Sequence, residues 1–197
     1  MAGGLYELIR RNRSVRRFDE AQEAGMDTLR GLVELARLSA SAANLQPLKY
    51  FLSADRKTNA LIFPCLSWAG YLTDWPGPAE GERPAAYIVV LGDTGISKTF
   101  GCDHAIAAQS IMLGASERGL GGCMIASIKR DSLRAALNIP ERFEILLVLA
   151  LGRPVEEVVI TEVPPDGNIG NIRYWRDERG VHYVPKRRIE DIVFERF

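Results

Sequence analysis

The sequence is poor in the residues that build disulfide frameworks and metal centres. Its 197 residues include only three cysteines and two histidines. A small, odd number of cysteines argues against a disulfide scaffold and is typical of a reducing compartment, so we expect a cytoplasmic protein. Cys102 and His104 are potential metal ligands, but such an isolated pair often occurs by chance, and the sequence predicts no metal site.

Long apolar runs and an excess of one charge are also missing. No stretch reaches the roughly 18 to 20 apolar residues of a membrane span, and the first residues lack the apolar run of a secretory signal. The 25 basic residues are balanced by 25 acidic ones, so nothing draws the whole chain to nucleic acid or to an anionic membrane. These absences predict a soluble intracellular protein that binds neither.

The chain does carry enough apolar residues for one full-sized core, because they make up 47% of it. We expect a single domain over residues 1–197, with alternating helices and strands. Helices are predicted from Asp27 to about Leu38, from Asp103 to near Gly119, and from Asp131 to just before Pro140, with Asp27 and Asp131 as N-caps. Strands are predicted at 48–53, 85–91, 123–126 and 144–151. This pattern is typical of an α/β or α+β sandwich.

The last residues follow a different pattern. A Pro- and Gly-rich tract at 163–171 precedes a predicted hairpin that turns at 177–180, and a short apolar tail ends the chain. The segment has aromatic residues but too few apolar ones for a core of its own. We therefore expect a C-terminal extension, about 153–197, that packs on a partner subunit.

The most unusual stretch is RRNRSVRR, residues 10–17, which holds five arginines in eight positions. Because the chain as a whole is neutral, these arginines need a local partner. A second basic cluster, 186–188, follows the predicted hairpin. Either cluster alone is consistent with a solvated charged surface. Together with the hydroxyl of Ser14, they favour a phosphate site, since several charge-assisted hydrogen bonds can converge on one dianion.

The glycines of GLGG, residues 119–122, do not form a dinucleotide-binding turn. That turn needs a strand, then glycines, then a helix, and here a helix comes first and a strand follows. Gly119 is explained as a helix terminator. Gly121 and Gly122 are consistent either with tight entry into a strand or with close approach of a ligand to the backbone.

Four segments, in this order, resemble the FMN-dependent nitroreductase superfamily: NRSVRRFDE at 12–20, SASAANLQP at 39–47, GLGGCMIAS at 119–127 and PKRR at 185–188. The sequence departs from the family pattern at Asn12, where the family has arginine, and at Ala43, where it has glycine. The resemblance implies an α+β fold, a three-layer α/β/α sandwich with a mixed central sheet, and a C-terminal arm exchanged across a homodimer.

The resemblance also implies a role for individual residues around FMN at the dimer interface. Arg13, Ser14, Lys186 and Arg188 would bind the phosphate, and Arg16 would lie toward the ribityl chain and the pyrimidine edge. The loop residues Ser41, Ala42, Asn44 and Gln46 would reach the flavin of the opposite subunit. Backbone N–H groups of Ala126 and Ser127 would face flavin N5.

The implied activity is ping-pong hydride transfer from NADH or NADPH, through flavin N5, to a small acceptor such as a nitroaromatic or a quinone. It needs little from acid–base side chains, because the cofactor carries the chemistry. We expect segment 61–83 to select the acceptor, with Trp68 and Tyr71 stacking on it, although aromatic packing beneath a long loop explains these rings equally well.

Two other classes of function stay open. One is a flavoenzyme of the same fold with another reaction, such as ene reduction or dehalogenation. The other is a non-enzymatic module whose arginine clusters bind nucleic acid or another anion; its affinity would depend strongly on salt.

Overall fold

The computed structural model describes residues 4–164 and 172–194. They form two compact units: a larger one of residues 4–68 and 76–155, and a smaller one of residues 69–75, 156–164 and 172–194. Most of the predicted Pro- and Gly-rich tract, 165–171, and the end of the predicted apolar tail, 195–197, lie outside the described residues.

The larger unit alternates helices with strands, as the sequence pattern predicts. Its helices are α1 Leu5–Arg11, α2 Met26–Arg37, α3 Arg56–Ile62, α4 Asp103–Glu117 and α5 Arg130–Leu137. Its strands are β1 Phe18–Asp19, β2 Leu48–Ser53, β3 Ala86–Asp93, β4 Gly121–Ile125 and β5 Phe143–Pro154. One-turn 3₁₀ helices at Ala42–Asn44 and Phe63–Cys65 lie in the connections.

Strand β5 is the centre of a five-stranded sheet. It pairs with β3 on one side and with β4 and β1 on the other, and β2 follows β3 as an edge strand. All four ladders are antiparallel. The expected α+β fold is confirmed, but parallel pairing in this sheet is limited to an isolated bridge between Ser14 and Gly122.

Both faces of the sheet are covered by helices, which confirms the predicted three layers. Helices α2 and α4 pack on the face that carries Ile88 and Val90 of β3. Helices α3 and α5 pack on the opposite face, which carries Tyr87 and Val89. Because alternate residues of a strand point to opposite faces, a strand buried on both sides has an unbroken apolar sequence, as β3 does.

The predicted N-caps Asp27 and Asp131 are wrong, each by two positions. Gly25 precedes α2 and Lys129 precedes α5, and neither provides a side-chain cap. Both aspartates lie in the first helical turn, where a negative charge interacts favourably with the helix dipole. Gly119 has a φ of +74° just after α4, which confirms it as a helix terminator.

The smaller unit contains strands β6 Val158–Glu162, β7 Trp175–Arg176 and β8 His182–Lys186, in the order β6-β8-β7. Strands β7 and β8 form the predicted hairpin, closed by a 3.0 Å hydrogen bond from Gly180 N–H to the Asp177 carbonyl. Arg176 donates to Glu156 at 2.8 Å and lies 4.7 Å from the centroid of the Trp75 ring. Ion pairing and cation–π contact thus tie segment 69–75 to the hairpin.

Candidate functional site

The arginine-rich segment leaves α1 and runs beside strand β4. The backbone N–H of Val15 donates to the Gly122 carbonyl at 2.8 Å, next to the bridge between Ser14 and Gly122. The two segments are more than a hundred positions apart in the chain. The structure therefore brings the predicted phosphate motif and the predicted flavin-facing strand to the same edge of the sheet.

Arg10 and Arg17 have acidic partners within the protein. Arg17 forms a two-pronged ion pair with Glu82, in which Nε lies 2.7 Å from Oε2. Arg10 lies 3.8 Å from the Glu7 carboxylate and 5.9 Å from the centroid of the Tyr6 ring. These protein contacts explain part of the arginine cluster, so that part requires no ligand. Sequence reasoning missed the Arg17–Glu82 pair, because its members are 65 positions apart.

Arg13 and Arg16 lie between Arg10 and Arg17 in the sequence, and both pack against the protein. Arg16 is only 9% exposed, and its Nη1 lies 3.5 Å from the Ser14 carbonyl. Arg13 donates through Nη2 to the Ile9 carbonyl at 2.7 Å. Its Nε is buried and donates no hydrogen bond within the described residues. Burial lowers the pKa of Arg13 because it removes solvation from the charged guanidinium.

The paired glycines of β4 are required by packing. A Cβ at Gly122 would lie 2.6 Å from the Ala150 carbonyl oxygen, and a Cβ at Gly121 would lie 2.7 Å from Pro154 Cγ and 2.9 Å from Val15 Cγ2. Real side chains do not approach this closely. Of the two explanations drawn from the sequence, tight strand packing is supported, and it is what allows the arginine segment to lie against β4.

Ala126 and Ser127 follow β4 directly and are both exposed. The Ser127 carbonyl accepts a 3.0 Å hydrogen bond from Ser67 N–H, and the Cys65 carbonyl accepts one from Lys129 N–H at 2.8 Å. These bonds hold segment 65–67 alongside 127–129. The residues expected to face flavin N5 are therefore accessible and have a fixed backbone.

The loop that contains Ser41 is held by Asp103, the first residue of α4. The Ser41 hydroxyl donates to Asp103 Oδ2 at 2.6 Å, and Ala42 N–H donates to Oδ1 at 3.0 Å. Gln46 N–H donates to the Ser41 hydroxyl at 2.9 Å, and the Gln46 side chain donates to the Asn44 carbonyl at 3.2 Å. Sequence reasoning missed Asp103 because its partners lie about 60 positions away.

A cavity of about 360 Å³ lies beside this loop. Its wall includes apolar residues of α2 and β2 and the polar groups of Ser41, Tyr50 and Asp103. Burial, together with the negative charge of Asp103, raises the pKa of Tyr50 to about 12.

Residues 81–153 match the model of the Nitroreductase family. Three solved structures have a similar fold. An FMN-dependent nitroreductase from Clostridium difficile is 21% identical, with a TM-score of 0.64 over 78% of this chain and 89% of that one. A nitroreductase-type protein from Exiguobacterium sibiricum in complex with FMN is 17% identical, with a TM-score of 0.65 over 79% and 90%. The enone reductase CLA-ER, which acts in gut-bacterial fatty acid saturation, is 17% identical, with a TM-score of 0.66 over 79% and 90%.

The chain has the nitroreductase fold. The resemblance expected from the four sequence segments is confirmed at the level of the fold, by the family match over residues 81–153 and by these structures. The match spans β3 to β5, so it includes Ala126 and Ser127 but not the arginine segment or the Ser41 loop. The placement of those two segments depends on the contacts described above.

The donors at the β4 edge fit the phosphate of a flavin mononucleotide in this nitroreductase fold. Arg13 has a buried N–H without an acceptor among residues 4–164 and 172–194, and the adjacent Ser14 is exposed. An anion would supply the missing acceptor and would offset the cost of burying a guanidinium. Asn12, which departs from the family motif, ends α1 as its C-cap, so its backbone has a structural role.

Lys186 and Arg188 lie in the smaller unit, at the end of β8 and just beyond it. Arg188 forms a two-pronged pair with Asp191, at 3.2 and 3.1 Å, and this pair raises the pKa of Arg188 through hydrogen bonding and charge. A phosphate would compete with Asp191 for this guanidinium. The convergence of Lys186 and Arg188 with Arg13 on one phosphate stays a prediction.

The rings expected to meet the acceptor have protein neighbours. Trp68 lies 5.8 Å from Phe63 between ring centroids, and a Cβ at Gly77 would be 2.7 Å from its Cδ1. Tyr71 lies 4.9 Å from Tyr174, and its N–H donates to the Tyr174 hydroxyl at 3.3 Å. These contacts favour aromatic packing for both rings, and their role toward an acceptor stays a prediction.

Residues 4–164 and 172–194 contain neither a metal-binding cluster nor a membrane-spanning helix. Nowhere in these ranges do three or more His, Cys, Asp or Glu residues form a group that could hold a metal ion. None of the helices within them combines the length and apolar character needed to cross a membrane.

Proposed function

We propose that this protein is an FMN-dependent oxidoreductase that takes hydride from NADH or NADPH and reduces a small acceptor, such as a nitroaromatic or a quinone. The observation that carries the proposal is the buried, unsatisfied Arg13 N–H beside the exposed Ser14, at the sheet edge that ends in Ala126 and Ser127. A nitroreductase fold provides the setting.

When bound, FMN supplies two-electron transfer at N5, which no side chain can provide. In the proposed site, Arg13 and Ser14 donate to the phosphate, with Lys186 and Arg188 completing its coordination. Arg16 places a positive charge where negative charge develops on the reduced ring, and this stabilises the reduced form. Backbone N–H groups of Ala126 and Ser127 orient the reactive edge, so their small side chains are sufficient.

We further propose a cytoplasmic homodimer in which Ser41, Ala42, Asn44 and Gln46 of one subunit complete the flavin site of the other. Cys65, Cys102 and Cys123 are not joined by a disulfide in the described structure, which agrees with a reducing compartment. Unpaired backbone on the edge strand β2 and exposed apolar side chains, such as Ile106 on α4 and Leu45 in the loop, are surfaces that a second subunit would cover.

Ene reduction is the second candidate. It is supported by the fold shared with an enone reductase and needs the same cofactor, so only the acceptor differs. Comparing a quinone, a nitroaromatic and an α,β-unsaturated ketone as acceptors for the same FMN-loaded enzyme would separate the two reactions.

Purification followed by FMN reconstitution tests the proposal. We expect a yellow protein that retains about one FMN per chain and releases it on denaturation. A colourless protein that fails to bind added FMN would exclude a flavoenzyme. If that protein bound oligonucleotides with a steep salt dependence, it would be a nucleic-acid module.

A further inference from the structure

Asp103 directs its carboxylate away from its own helix. A carboxylate in the first turn of a helix ordinarily lies near that helix's free N–H groups. Here both oxygens accept instead from the loop before β2: Oδ2 from the Ser41 hydroxyl at 2.6 Å and Oδ1 from Ala42 N–H at 3.0 Å. Asp103 is only 5% exposed, so this carboxylate is buried against the loop.

The Ser41 hydroxyl connects Asp103 to the far end of the loop. It donates to Asp103 and accepts from Gln46 N–H at 2.9 Å. Asp103, Ser41 and Gln46 therefore form a continuous chain of hydrogen bonds that closes residues 41–46 into a turn. Hydrogen bonds to an ionised acceptor are the stronger kind, and burial strengthens them further.

The backbone of the loop needs such support. Ala43, Asn44 and Gln46 have φ values of 48°, 53° and 50°. Residues with a Cβ rarely adopt this left-handed region, and they remain there only where the surroundings impose it. Asp103 binds the start of this strained segment, and the Ser41 hydroxyl that it accepts from also binds Gln46 N–H at the far end.

We propose that Asp103 is a positioning residue for flavin binding: through Ser41, it holds the 41–46 loop in the conformation that completes the FMN site. This inference rests on the proposed flavin function. It predicts that loss of the Asp103 charge loosens the loop and weakens FMN binding while the sheet and its two cores stay folded.

The test compares Asp103→Asn with a matched control, Asp131→Asn, which alters an exposed first-turn aspartate of α5. Three quantities are measured: hydrogen–deuterium exchange of residues 39–48 without FMN, the Kd for FMN, and the visible circular dichroism of the FMN-saturated protein. For Asp103→Asn we expect faster exchange in the loop, a Kd raised at least tenfold, and an altered dichroism band. Asp131→Asn should match the wild type in all three.

A double-mutant cycle with Ser41→Ala tests the route through the hydroxyl. If Asp103 acts through Ser41, the double variant loses less FMN affinity than the sum of the losses in the two single variants. Additive losses would overturn that route. If Asp103→Asn fails to fold, the Ser41→Ala variant tests the inference by itself. Hydrogen–deuterium exchange of residues 39–48 that is unchanged in Ser41→Ala would contradict the inference.

Failure of the inference is distinct from failure of the flavin function. A wild-type protein that binds no FMN refutes the function. A wild type that binds FMN, together with Asp103→Asn that binds equally well and has the same dichroism band, refutes only the role of Asp103.

Discussion

The arginines of residues 10–17 differ in their hydrogen-bond partners, and these partners determine which of them can bind a ligand. Arg17 is committed to Glu82, so it joins two parts of the fold. Arg13 donates to the Ile9 carbonyl, and its buried Nε–H has no acceptor in the part of the chain that the structure describes. Such a guanidinium can bind an anion with little further desolvation, because the free energy of its burial is already included in the stability of the folded protein.

Replacing Arg13 is therefore expected to weaken flavin binding selectively. Arg13→Ala should raise the Kd for FMN roughly ten- to a hundredfold, the scale of one charge-assisted hydrogen bond of about 1.5 to 3 kcal/mol. Fluorescence titration with FMN measures it. The control is Arg37→Ala, which removes an exposed arginine paired with Glu34 on its own helix. Equal affinities for all three proteins would remove Arg13 from the site.

At the scale of single elements, local patterns in the sequence predicted the helices and long strands but not the contacts between them. Strand β2 has the predicted bounds because strand-forming residues such as Tyr50 and Phe51 are a local signal. Strand β1 has only two residues, too few for any period. The Asp103–Ser41 and Arg17–Glu82 contacts join positions more than 60 residues apart, and no pattern within a window of the sequence can reveal them.

Strand β4 depends on having no side chain at Gly122. Gly122→Ala should destabilise the protein by about 1 to 3 kcal/mol, because its Cβ would meet the Ala150 carbonyl and force the strands apart. Urea unfolding measures the change. Gly70→Ala is the control, since its Cβ would meet nothing within 4 Å. A Gly122→Ala protein as stable as this control would show that β4 can shift freely.

Asp93 at the end of β3 makes stability depend on acid pH. Arg142 donates to its carboxylate at 2.6 Å twice, and these hydrogen bonds lower the pKa of Asp93. A lowered folded-state pKa means stability that is present above the unfolded value of about 3.9 and is lost as the pH falls through the folded value. We expect wild type to exceed Asp93→Asn in unfolding free energy at pH 7, with the difference shrinking below about pH 4. A difference independent of pH would contradict this assignment.

At the scale of the whole molecule, the fold and the proposed flavin site are supported by different observations. The family match spans the sheet and helices from β3 to β5, and the likeness to solved structures at 17 to 22% identity shows the fold. The arginine segment and the Ser41 loop precede that match. Sequence resemblance named their residues, and the structure added the contacts that hold them in place.

A shared flavin site makes a prediction about mixed dimers. In the proposed dimer, Arg13 and Arg188 come from one subunit and Ser41 from the other. An Arg13→Ala, Arg188→Ala double variant and a Ser41→Trp variant should each be inactive as homodimers. Refolded together, they should recover FMN binding, because one pocket of the mixed dimer receives no altered residue. Mixed dimers that are isolated through two different tags but bind no FMN would place the loop and the arginines in the same subunit.

The central claim is that this chain binds FMN and passes reducing equivalents from a nicotinamide to a separate acceptor. Anaerobic titration of the FMN-reconstituted protein with NADH, and then with NADPH, tests it most directly. At least one of the two should bleach the visible flavin absorbance with no acceptor present, and adding a quinone or a nitroaromatic should restore it. Flavin absorbance that persists with both nicotinamides would contradict the proposed electron donor, and failure to take up FMN at all would contradict the account as a whole.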